Sequence, residues 1–138
     1  MTVANRKTRR DHLQDLLVAK GSWQEVYRSQ PPTFDGQSPV ATVHSGGVEA
    51  PQETFGGDED VEMELLVTNF VKRADVDTAE DGLDDLLVAL IEVVLDNDTA
   101  AGYWNDLQIR GATEPDYVMV DGEQYRSESV RVVATVYG

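Results

Sequence analysis

The chain contains no cysteine. That excludes disulfides, thiol nucleophiles and cysteine-ligated zinc, and it leaves the redox compartment open. Long apolar runs are missing too. The longest spans Leu86 to Ile91, far short of the roughly 20 residues a membrane-spanning helix needs, so no membrane partner is expected. Histidine is represented only by His12 and His44, and no HExxH or His-x-His pair joins them. Zinc chemistry therefore has no framework, and His12 is expected as a solvated helix residue, His44 as a strand-end residue. GxSxG, Walker A and GxGxxG are absent as well. Lysine is scarce, being confined to Lys7, Lys20 and Lys72.

Acid is abundant. Among 138 residues, 26 Asp and Glu face 11 Lys and Arg, for a net charge of −15. Residues 1–35 hold six bases and four acids, whereas residues 49–98 hold sixteen acids and two bases. Such a surface repels phosphate, so sequence-specific DNA binding is disfavoured outside the basic N-terminal turn. Acids biased toward Asp, with few lysines, resemble the proteins of salt-in halophiles, where molar salt screens self-repulsion. An ordinary acidic bacterial protein is the plainer alternative. Hydrophobic residues make up 41% of the chain, enough for one core in one domain of this length. Arg6, Lys7, Arg9 and Arg10 precede Asp11, His12 and Gln14 instead of an apolar segment, which does not fit a signal peptide.

The clearest pattern lies between Asp60 and Leu95. Val61, Met63, Leu65 and Val67 alternate with Glu62 and Glu64, the period-two signature of a half-buried strand over 61–72. From Leu83 the period changes. Leu83, Leu86, Leu87, Leu90, Ile91 and Val94 form one helical stripe, backed by Asp81, Asp84, Asp85 and Glu92. Asp77-Thr78 before Glu80 and Asp81 approximates a capping box at the start of this helix. Upstream, Leu13, Leu16 and Leu17 predict a helix over 4–20, closed by Gly21.

Short strands are expected over 23–28 and 39–44, the latter with Val40 and Val43 facing opposite ways. Residues 45–59 are rich in breakers (Gly46-Gly47, Pro51, Gly56-Gly57) and predict a long loop at about 45–60. A strand over 107–111 follows. Asp121-Gly122 between Tyr117–Val120 and Glu123 marks a type I′ hairpin, and Val130 to Tyr137 predicts a terminal strand. The fold class is α+β, a mainly antiparallel sheet packed against two amphipathic helices, with residues 1–138 as a single domain.

Candidate chemistry is thin. An EF-hand loop starting at Asp96 would need glycine at position 101 and glutamate at 107, where Ala101 and Leu107 stand, so Asp96-Asn97-Asp98 is a polar connection. Asp58-Glu59-Asp60 with Glu62 and Glu64 forms a solvated acidic edge. Tyr103 and Trp104 are either core anchors or partner-binding hot spots. No catalytic, cofactor-binding or metal-ligating residue is assigned, and no enzyme activity is expected.

The order of elements resembles the tail terminator proteins of long-tailed viruses over nearly the whole chain. A helix comes first, then Glu25-Val26-Tyr27-Arg28 with prolines after it. The strand Pro39-Val40-Ala41-Thr42-Val43 and a variable loop follow. Next stand a long strand (Val61 to Lys72) and a single amphipathic helix (Thr78 to Asp96). A hairpin closes on Val132-Val133-Ala134-Thr135-Val136-Tyr137. The resemblance implies a virion protein of the tail–neck region, assembled in the host cytoplasm. It would form a ring, commonly a homohexamer, that caps the tail tube, ends tube polymerisation and joins the tail to the head-side connector. Its partners would be its own copies, the tube protein and the connector, with genomic DNA passing through the lumen without specific binding. The lysine-poor composition would suit a virus of a halophilic archaeon. Alternatives are another neck protein, such as a head-completion or stopper protein, and, more distantly, an acidic DNA mimic.

Overall fold

A computed structural model describes residues 6–49, 60–73 and 76–137. Its elements run α1 (Arg6–Lys20), β1 (Glu25–Tyr27), β2 (Val40–Glu49), β3 (Val61–Lys72), α2 (Val76–Asp96), β4 (Asp106–Ala112), β5 (Asp116–Val120) and β6 (Glu123–Val136). The fold is α+β. Two helices cover one face of a mixed six-stranded sheet ordered β1-β2-β3-β6-β4, with β5 also paired to β6. Among the described strands only the β1–β2 pair is parallel.

The alternation of β3 dictates the layering. Val61, Met63, Leu65 and Val67 are buried toward the helices, while Glu62, Glu64 and Thr68 turn to the other face. β3 is flanked by β2 and by β6 over its whole length, from Val61↔Val136 to Lys72↔Tyr125. β6 is long because it serves two partners in turn: its first residues pair with β5, its last with β4. The hairpin turn between β5 and β6 has the expected conformation, with Asp121 at φ 48° and Gly122 at φ 76°.

α1 lays the fully buried Leu13 and Leu17 on the sheet and ends at Gly21, whose φ of 77° is the left-handed value of a helix stop. One turn before Leu13, Arg9 is itself buried, and its Nε donates to the Tyr103 carbonyl at 2.6 Å. In α2 the buried arc is Ala79, Leu83, Leu86, Ala89, Leu90, Val93 and Val94. Ile91, expected within the apolar stripe, lies at its margin and is 39% exposed. The stripe's axis runs between Leu86 and Leu90, which turns Ile91 outward and Val93 inward. The helix also begins at Val76, so Asp77 and Thr78 stand in its first turn instead of preceding it.

A second correction concerns the expected loop at 45–60. Strand β2 continues through Gly46-Gly47 to Glu49, because β3 offers it a continuous ladder: Val48 pairs with Met63 and Glu49 with Glu62. The glycines absorb one extra residue between Ser45 and Val48, a β-bulge. Gly46 has a steric reason as well, since a Cβ there would come within 2.9 Å of the Glu64 Cβ. The rest of that expected loop, residues 50–59, lies outside the described residues.

On the face away from the helices, Val40 and Phe70 meet Phe34, Val120 and Tyr125 in a small second core, flanked by Tyr27 and Val118. Val40 and Val43 thus face opposite ways, as their spacing predicts. Phe34 comes from the irregular segment between β1 and β2, which folds over one end of the sheet.

Candidate functional site

Past that small core, the helix-free face of the sheet is polar. Arg110 reaches from β4 across β6 to Glu62 on β3, with Nη1 donating to Oε1 at 3.2 Å and Nη2 to Oε2 at 2.8 Å. Beside it, Arg131 Nε lies 3.7 Å from Glu64 Oε2, and Arg131 Nη2 donates to the Arg110 carbonyl at 3.3 Å. With Gly47 and Val133 these four charges line a depression of about 160 Å³. The hydrogen bonds from Arg110 hold the Glu62 carboxyl below its usual range. Each carboxylate is matched by a guanidinium, so the cluster carries no net charge. It is also smaller than the roughly 300 Å³ and upward typical of ligand pockets. Half-exposed pairs like these contribute about 1 kcal/mol or less each. Their chemistry is that of a fixed polar surface.

The outer face of α2 is different. Asp81, Asp84, Asp85, Glu92 and Asp96 are exposed along it, and between them stand Val88 (56% exposed), Ile91 and Leu95 (69%). At 3.6 residues per turn these fall on one side of the helix, opposite the arc that packs on the sheet. The N-terminal half of this side is acidic, the C-terminal half apolar with acidic flanks. Of those acids only Glu92 has an ion partner among the described residues, Lys20 at 3.3 Å.

Neither histidine sits in a site. His12, expected in solvent, instead stacks on Tyr103 with centroids 3.7 Å apart and planes 3° from parallel, and Trp104 lies 5.2 Å away. Burial pushes its pKa below the ordinary value, against the pull of Asp15. The correction follows from the turn before β4, which folds back onto α1 and brings an aromatic face to it. His44 Nε2 lies 2.6 Å from Thr42 Oγ1, and burial together with Arg10 lowers its pKa. Among the described residues no group of three metal-ligating side chains converges.

Asp96-Asn97-Asp98 closes α2. Asn97 Nδ2 donates to the Val93 carbonyl at 2.9 Å, and the Asn97 carbonyl accepts from Trp104 Nε1 at 2.7 Å. Trp104 is only 2% exposed, which settles the open choice for that residue in favour of a core anchor. Asp58 and Glu59 lie outside the described residues, and Asp60 is exposed at the start of β3.

No protein-family model matches this sequence, and none of the curated proteins does either.

Two features escaped the sequence. The Arg110–Glu62 pair depends on which residues of three strands align, and no local pattern encodes that register. Buried Arg9 had a faint signal in its spacing: it stands four residues before Leu13 and eight before Leu17, on the same helical stripe.

Proposed function

We propose that this chain is a structural ring protein of a long-tailed virus, the tail terminator that caps the tail tube and joins it to the head-side connector. One observation carries the proposal: the order and lengths of the elements. A leading helix, a short strand, a second strand, a 12-residue strand, one 21-residue helix and, after β4, a hairpin closing on a 14-residue strand follow the order that the resemblance implies. The surface supports it in a second way. Exposed carboxylates along α2 and at Glu114, Asp116, Asp121 and Glu123 leave little for phosphate to adhere to, as suits a ring through which DNA slides. Sheet edges at β1 and at β4 and β5 are available for contact between copies.

The direct test is tube growth. Purified chain added to polymerising tail-tube protein of its own virus is expected to arrest the tubes at finite length, with a cap of extra density at one end. Tubes that lengthen unchecked beside unbound chain would overturn the proposal. A duplex-mimicking role has less support, because Val88, Ile91 and Leu95 interrupt the most continuous acidic face among the described residues.

A further inference from the structure

Val88, Ile91 and Leu95 form an exposed apolar strip on a helix side that none of the described residues covers. The surface that covers it must satisfy the acids around it. Two copies of α2 packed face to face would set Asp84, Asp85 and Glu92 against the same carboxylates, which is repulsive. The complement is therefore cationic with an apolar centre.

The chain carries such a patch elsewhere. Arg73 is exposed, and its Nη1 donates to Gln124 Oε1 at 2.7 Å. Its guanidinium lies 5.0 Å from the centroid of the Tyr117 ring. Among the described residues it forms no ion pair, whereas Lys20, Lys72, Arg110, Arg126 and Arg131 each have a carboxylate. Gln124 pairs across the hairpin with Met119, which shares a strand face with Tyr117 and is 63% exposed. Arg73, Tyr117 and Met119 thus present a cation beside an exposed thioether, an adaptable apolar contact.

We infer that the β5–β6 hairpin patch of one copy docks on the outer face of α2 of the next copy, with Met119 against Val88, Ile91 and Leu95 and Arg73 facing the flanking acids. The contact joins two different surfaces, so it is heterologous and propagates head to tail until rotation closes it into a ring. It rests on the ring reading above and names the two faces that make the ring.

Two variants test it: Val88→Asp with Leu95→Asp, which spoils the helix face, and Arg73→Glu with Met119→Asp, which spoils the hairpin. All four side chains are exposed, so native circular dichroism and urea midpoints are expected. By sedimentation, each variant alone should require at least about tenfold more protein than wild type to assemble. Mixed in equal amounts, they should form a 1:1 dimer and stop, because each supplies one intact face. Either variant assembling as wild type does, or a mixture that stays monomeric, overturns the inference and leaves the ring reading standing. A wild type that never assembles overturns both.

Discussion

Truncating Phe34 to alanine probes whether the segment between β1 and β2 is an integral part of the fold or merely lies on it. Phe34 is 1% exposed. Its ring meets Tyr125 at 5.1 Å edge-on, Phe70 at 4.9 Å and Tyr27 at 5.6 Å. The substitution withdraws roughly 110 Å² of apolar surface, and at about 25 cal/mol per Å² that is close to 3 kcal/mol. Lost ring–ring contacts add about 0.5–1.5 kcal/mol each, and partial collapse of the segment onto Phe70 returns some of it. A net loss of about 3–4 kcal/mol results, within the usual range for a buried phenylalanine. For a chain of this size that corresponds to a melting point lower by about 10–15 °C. Urea denaturation is the assay: the midpoint should fall with the slope unchanged. A loss below about 1 kcal/mol would refute the claim that a second core holds this end of the sheet.

Glu128 faces Glu80 and Asp84 of α2, and burial followed by those two charges raises its pKa above the ordinary 4.5. Its ionised form is therefore a liability in the folded state, felt as pH rises from about 4.5 through the raised value. Glu128→Gln should stabilise the protein at neutral pH and lose that advantage below about pH 4.5, read from urea midpoints across pH. His12 and His44 have pKa values held below 6.5, mainly by burial, so their contribution is complete above that value and is lost as pH falls beneath it. His12→Phe keeps a ring against Tyr103 and should flatten that decline; an unchanged profile would remove His12 as its source. Gly122 has a φ of 76°, so Gly122→Ala should cost about 1 kcal/mol in thermal unfolding, while Asp121→Asn should be nearly neutral.

Local periodicity made much of the fold legible. The alternation of Val61 to Val67, the leucine stripe of α2 and the Asp121-Gly122 turn each imprint their geometry on a few consecutive residues. From Ser45 onward β2 is illegible in the sequence, because Gly46-Gly47 reads as a breaker locally, while β3 supplies enough partners to carry a strand through it. Phe34 lies among prolines and polar residues, and only the packing of the far sheet face reveals it as a core side chain. The packing of His12 is hidden for a similar reason, since its partner Tyr103 is remote in sequence. The acidity of α2 was plain from the start, but its division into acidic and apolar halves required knowing which arc the sheet buries.

The central claim is that copies of this chain close into a ring. Light scattering with negative-stain imaging of the purified wild-type chain, in low and in molar salt, tests it most directly. The account predicts closed rings of uniform mass with a lumen wide enough for a DNA duplex. A compact monomer in every salt, with no binding to tail tubes, would contradict it.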